Sequence, residues 1–187
     1  MHLEFIGPRD PGRAAAEAHL RGVYREVYGA DLCNFAPILV GVSDARGRVL
    51  AAAGLRTAAD GFFSSVYLDD PFDVRLAALT GQRVAAGTIL EVVSLASASP
   101  FPVLPLIDGI IGWGRTHRMR WGVFTATAAL RRLLRRSGMA CLELGPARPE
   151  RLADAGAWGS YYRGDPRVCA FSDAAASLVL SPRARAS

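Results

Sequence analysis

The chain has 187 residues, 51% of them hydrophobic, and a formal net charge of +5 at pH 7. That length favours one domain and that apolar share furnishes a core, which excludes a globally disordered chain. A spanning helix is excluded as well: the apolar stretch nearest the required length of about 18 residues, FPVLPLIDGIIGWG, is broken by Pro105 and Asp108.

In chain order, LEFIG (residues 3–7) reads as a strand. Residues 11–29 read as a helix: Pro11 suits a first turn, Ala15, Ala18, Leu20, Val23, Tyr24 and Val27 make an apolar stripe, and Gly29 can stop it. The two strand-like runs around DARG in APILVGVSDARGRVLAAAGLRTA read as a hairpin. Residues 69–81 read as a short helix with an Asp cap before Pro71 and Gly81 as its stop. A β-branched strand follows at 87–98, a buried helix at 100–117 and a strand at 120–128. An amphipathic helix at 129–139, closed by Gly138, precedes a strand at 140–145. The segment AWGSYYRGDPRV (157–168) is rich in rings and glycines, and reads either as a packed turn or as the lip of a site. One domain is expected over residues 1–180, with SPRARAS (181–187) as a disordered tail. A hairpin feeding alternating β and α elements predicts an α/β (α+β) fold, a mixed central sheet flanked by helices.

Every basic side chain is arginine. Its planar fork suits phosphate or carboxylate, although a basic surface alone sets solubility and steering rather than function. No nucleic-acid-binding module accompanies the charge, so no nucleic acid is expected as partner. Cys33, Cys141 and Cys169 are far apart in apolar settings and read as buried structural thiols. His2, His19 and His117 lack ligand spacing, so no metal site is expected. The start, MHLEFIGPRD, lacks the three regions of a secretion signal; a soluble cytoplasmic protein without a membrane span is the expectation.

Five segments together resemble the thermostable hemolysin family: YGADLCNFAPILVGV, FFSSVYLDDP, ILEVVSLAS, WGVFTATAALRRLLRRSGM and WGSYYRGDPRVCAF. They occur in the family's order and the resemblance covers roughly residues 20–172, with VFTAT and the WGSYY segment as its distinctive pieces. The family is similar in fold to N-acetyltransferases and acyl-homoserine-lactone synthases. The resemblance therefore implies an N-acetyltransferase-like fold, in which a parted sheet binds an acyl thioester, and an acyl-transfer role. This chain departs from the family pattern in several places. Ser65 and Val66 stand where the family usually has Glu-Gln, Ser94 where it has Asn, and Gly87 and Thr88 where an Arg is frequent. Those departures keep open an altered substrate or lost catalysis.

Acyl transfer to an amine needs a base, donors for the oxyanion, and a way to release the thiolate. Glu91 is the candidate base, the one charge in the strand TILEVVSL, where burial raises a carboxyl pKa; an outward-facing edge residue is the alternative. Thr125 and Thr127 lie two apart on one strand face, and either orient substrate or, for Thr127, cap the next helix. Arg131, Arg132, Arg135 and Arg136 form a basic helix face, with Arg131 and Arg132 as candidate donor-binding residues. Tyr161 or Tyr162 is the candidate acid, as is common in acetyltransferases of this fold, and adjacent tyrosines in a strand would face opposite ways. Tyr67, Ser94 and Trp158 complete the candidate substrate site with Thr127.

The expected phosphate-binding turn, SLASASPFPVLP, has no glycine, which weakens ordinary coenzyme A binding. No tightly bound cofactor is expected; the donor is a coenzyme A thioester, an acyl carrier protein's phosphopantetheine thioester, or another activated acyl group. The reading is thus an acyltransferase acting on a small-molecule amine in biosynthesis. A membrane-active lysin and a catalytically degenerate binding partner are the alternatives.

Overall fold

Strand β1 (His2–Ile6) leads into helix α1 (Arg13–Tyr28), which Gly29 ends in the left-handed conformation. The DARG hairpin joins β2 (Ile38–Ser43) to β3 (Val49–Arg56). Helix α2 (Phe72–Thr80), β4 (Ile89–Ser97), α3 (Val103–Thr116), β5 (Trp121–Ala126), α4 (Ala128–Arg136) and β6 (Leu142–Pro146) follow. The structure, a computed structural model, describes residues 1–173, so the expected tail 181–187 lies outside the described residues.

Two local readings change. Helix α2 is capped by Pro71 without a side-chain hydrogen bond, so no Asp cap forms. A further strand, β7 (Arg167–Ser172), starts directly after Pro166 inside the aromatic segment, where no strand was expected. It inserts between β5 and β6, antiparallel to both. The sheet order is β1-β2-β3-β4-β5-β7-β6, and β4–β5 is its one parallel pair. The mixed sheet expected is mostly antiparallel: β1 to β4 pair antiparallel in turn, and β7 adds two more antiparallel pairs.

The strand pattern places alternate residues on opposite faces. On one face Leu20 and Tyr24 of α1 pack on Leu39 and Ala52, and Phe72 and Leu76 of α2 pack on Ile89 and Val123. On the other, Leu106 and Ile110 of α3 cover Val40 and Val42, and Leu134 of α4 covers Phe124. Each such leucine contributes about 1.5–3 kcal/mol, so the layers hold the sheet rigidly around its weakest line. Among the described residues, no helix is long and apolar enough to cross a membrane. Of the thiols, Cys169 alone is buried; Cys33 and Cys141 are exposed, against expectation.

The weak line is the β4–β5 pair. Its register runs from Ile89↔Trp121 to Val92↔Phe124 and stops there. Beyond that point β4 stays with β3 and β5 stays with β7, pairing Thr125 with Val168. The β3–β4 register also slips between Ala52 and Gly54, opposite Ser94, whose φ of 53° is unusual for a non-glycine residue. This bulge bends β4 away and opens the sheet.

Candidate active site

Glu91 lies one residue before the strands part and is fully buried, 0% exposed. Its side chain points to the α1/α2 face, beside the 3-10 turn Ser64–Tyr67. Oε2 accepts the Phe63 amide and Oε1 the Ser64 amide, each at 2.7 Å. Burial raises its pKa, against the lowering pull of those bonds, of the Ser64 hydroxyl and of the Arg56 charge across β3. The carboxylate therefore sits beneath the turn and does not line the cavity above it.

That cavity, of about 410 Å³, is bounded by the loop after α1, the turn at 63–67 and the segment 152–161. Thr125 and Ser64 reach it together. Thr125 Oγ1 donates to Ser64 Oγ at 2.8 Å, and Ser64 is joined to Glu91 through its amide while its hydroxyl helps hold the Glu91 pKa down. A chain of three groups thus links the cavity to the buried carboxylate. Ser64 is itself 1% exposed.

The AWGSYYRGDPRV segment forms two 3-10 turns, Ala155–Trp158 and Tyr161–Gly164, before β7. It is fastened to the end of α1: Ser160 donates its amide to the Tyr28 carbonyl and Asp31 to that of Ala157, both at 2.8 Å. Gly159 makes this approach possible. Its φ is 53°, and a Cβ there would lie 2.1 Å from the Tyr28 oxygen. Trp158 and Tyr161 enter the cavity wall, with ring centroids 5.5 Å apart, and Trp158 lies 5.6 Å from Phe63. The two tyrosines separate by role in a turn, not by strand alternation. Tyr161 is buried among Tyr24, Tyr28 and Trp158, which raises its pKa well above the ordinary value. Tyr162 turns away, its hydroxyl 2.6 Å from that of Tyr67, and lines neither this cavity nor the next. Tyr67 and Ser94 do line the first cavity.

A second cavity, of about 510 Å³, runs between α1, the end of β4 and α4. Tyr24, Leu95, Thr125 and Tyr161 line both cavities, so the two meet where β4 and β5 part. Thr127 borders the second cavity and also accepts the Leu130 amide as helix cap, at 3.5 Å. Arg132 and Arg136 stand on its wall. Arg131 does not. Its Nη1 donates to the carbonyls of Ala126 and Asp165 at 2.7 and 2.6 Å, and its Nη2 to Asp165 Oδ2 at 2.6 Å. The α4 arginines are therefore not one free basic face, and Arg131 fastens the aromatic segment to α4.

Sequence reasoning missed Ser64 and Arg56. Ser64 lies in FFSSVYLDDP and Arg56 ends the second hairpin strand, but which of two adjacent serines faces inward is decided by the 3-10 turn, and no periodicity marks it.

The family model described as thermostable hemolysin matches residues 6–177. The chain belongs to the thermostable hemolysin family. No curated protein sequence matches it. Among solved structures, apo TofI aligns with TM-score 0.65 at 17% identity, over 92% of this chain and 91% of that one. FeeM, an N-acyl amino acid synthase from uncultured soil microbes, aligns with TM-score 0.61 at 15% identity, over 93% and 96%. BjaI, a coenzyme A-dependent acyl-homoserine lactone synthase crystallised with S-adenosylmethionine and isopentyl-CoA, aligns with TM-score 0.59 at 13% identity, over 91% and 82%. This family member thus has the fold of acyl-homoserine-lactone synthases and N-acyltransferases.

Proposed function

We propose that this thermostable hemolysin family member is an N-acyltransferase, moving an acyl group from a thioester to a small-molecule amine. The observation that carries the reading is the junction of two cavities at Thr125, at the point where β4 and β5 separate. A donor in the second cavity and an acceptor in the first would meet there, which is the approach that acyl transfer requires. The fold neighbours that use acyl-CoA or make N-acyl products add support. An open cavity of about 410 Å³ speaks against a site filled by side chains in a degenerate binding partner.

In this reading the amine nitrogen attacks the thioester carbonyl carbon, and the C–S bond breaks as the tetrahedral intermediate collapses. The proton lost by the nitrogen passes to Thr125 Oγ1 as that hydroxyl hands its own to Ser64 and Ser64 hands its own to Glu91. A carboxyl with a raised pKa accepts a proton more readily near neutral pH. Ser94 and Leu95, without register partners on either neighbouring strand and lining the first cavity, offer backbone amides to the developing oxyanion. Tyr161, kept protonated by burial, lines both cavities, as Tyr24 and Thr125 do, and can offer a hydrogen bond to the departing sulfur.

The donor side has few backbone donors, since Pro100 and Pro102 precede α3 and lack amide hydrogens. Arg132 and Arg136 offer side-chain charge to the donor's phosphate instead. Thiol release from octanoyl-CoA and from an octanoyl-carrier protein, each with a panel of amines, tests the reading. Amine-dependent release by the wild type that falls at least tenfold in Thr125→Val supports it; no release with any donor refutes it.

A further inference from the structure

We propose that the acceptor is an amphoteric amine, one that carries a carboxylate, and that Arg56 is the residue that binds this carboxylate. The inference rests on the acyl-transfer reading of the first cavity and names its substrate class. Arg56 ends β3, is half-buried, and lines that cavity. Its Nε donates to the Gly61 carbonyl at 2.8 Å and its Nη2 to that of Asp60 at 2.7 Å. Two neutral acceptors thus fix the plane of the guanidinium without neutralising it, and among the described residues Nη1 makes no hydrogen bond.

Arg13, Arg131, Arg151 and Arg167 each have a carboxylate partner. Arg56 forms no ion pair among the described residues. Its cross-strand neighbour Glu91 feels its charge, but both oxygens of Glu91 are taken by the Phe63 and Ser64 amides. An oriented, uncompensated guanidinium at a cavity wall is a carboxylate site. The same cavity carries the opposite charge elsewhere: Asp154, exposed and without an ion-pair partner among the described residues, stands on its outer wall. It favours entry of an ammonium group. Phe35, Phe63 and Trp158 of the same lining supply an apolar surface for the body of the molecule. A cavity lined by an oriented guanidinium, a carboxylate and rings matches an acceptor that carries a carboxylate, an ammonium group and an apolar body.

The test uses matched pairs with octanoyl-CoA and octanoyl-carrier protein as donors: L-phenylalanine against 2-phenylethylamine, and 6-aminohexanoate against hexylamine. The wild type should prefer the carboxylated member of at least one pair by about tenfold or more in kcat/KM, the size of one charge-assisted contact. Arg56→Gln should bring the preference within about twofold, and Arg56→Lys should keep part of it. The preference is a ratio within one sample, so partial unfolding of a variant cancels. No preference in the wild type, or one that survives Arg56→Gln, overturns the proposal. If the wild type turns over none of these amines, calorimetric titration of the same four compounds decides. Arg56-dependent binding of a carboxylated member upholds the proposal and refutes acyl transfer alone, whereas equal binding or none overturns it.

Discussion

Replacing Glu91 with alanine tests the central polar contact of the structure. The substitution strips the acceptor from two amides, that of Ser64 in a residue 1% exposed and that of Phe63 at the turn surface. Each abandoned buried donor costs about 1–3 kcal/mol, giving about 2–6 kcal/mol before any relief. Removing a buried charge offsets part of this, and water can reach the Phe63 amide, so a loss of about 2–3 kcal/mol is expected. Urea denaturation at pH 7 measures it, and hydrogen exchange at the Phe63 and Ser64 amides localises it. A variant within about 1 kcal/mol of wild type, with those amides as protected as before, would refute the clamp. Glu91→Gln supplies the sign with pH. Because burial raises this carboxyl in the fold, its stabilising contribution is fully present below the pH where the unfolded chain titrates. That contribution is lost as pH rises through the folded-state value. Wild type should therefore lose stability relative to Glu91→Gln as pH rises above about 4, where the unfolded carboxyl titrates, and parallel curves would remove the desolvation argument.

Thr125→Val keeps the shape of the junction and removes the hydroxyl that joins it to Ser64. Stability should change by about 1 kcal/mol or less by thermal unfolding, while kcat falls about 100-fold in the thiol-release assay. Arg131→Ala and Arg132→Ala should divide sharply. The first loses about 1–3 kcal/mol of stability with the contacts to Asp165, read by denaturation. The second stays within about 0.5 kcal/mol but raises donor KM in a salt-dependent way. Gly159→Ala should cost about 3 kcal/mol or more, because its Cβ meets the Tyr28 carbonyl at a positive φ. A blue or red shift of Trp158 emission would report the displaced turn, and unchanged stability would count against the fastening.

Much of the fold is legible in the chain. The helix of 11–29 ends at Gly29 as its stop predicts, and the hairpin turns at DARG. Of the expected stripe, Leu20 and Tyr24 are buried while Ala15, Ala18 and Val27 are exposed, and Ala16 faces the core instead. Glu91 is marked by composition alone, as one charge in an apolar strand, and it is buried. What fails to show is what depends on distant contacts. Strand β7 hides because RVCAFS follows a run of turn residues, and its place between β5 and β6 is set by the sheet and not by local pattern. The bulge at Ser94 carries no glycine to announce it. The arginines at 131 and 132 are neighbours in LRRL, yet Asp165, 34 residues on from Arg131, claims only the first. Arg56 reads as an ordinary strand end, since nothing in sequence tells that its neighbours are carbonyls.

The parting of β4 and β5 and the burial of Glu91 have a common physical origin. A strand that leaves its parallel neighbour after Val92 exposes polar backbone on both sides of the gap, which something must cover. The 63–67 turn lies across the floor of that gap, and short turns of this kind hold poorly without an anchor. Glu91, the last inward residue before the parting, supplies one by accepting two of the turn's amides. The same bonds aim Ser64 at Thr125, so the anchor of the cavity floor is also the end of its proton path. Structural and chemical consequences are therefore mixed in any substitution of Glu91. Thr125 separates them, because it touches the path and holds the floor by a single hydrogen bond to Ser64, against the two amides that Glu91 anchors. A large fall in rate at Thr125 with little loss of stability is what a working relay requires, and equal damage to both would mean that these hydroxyls serve only to hold the turn.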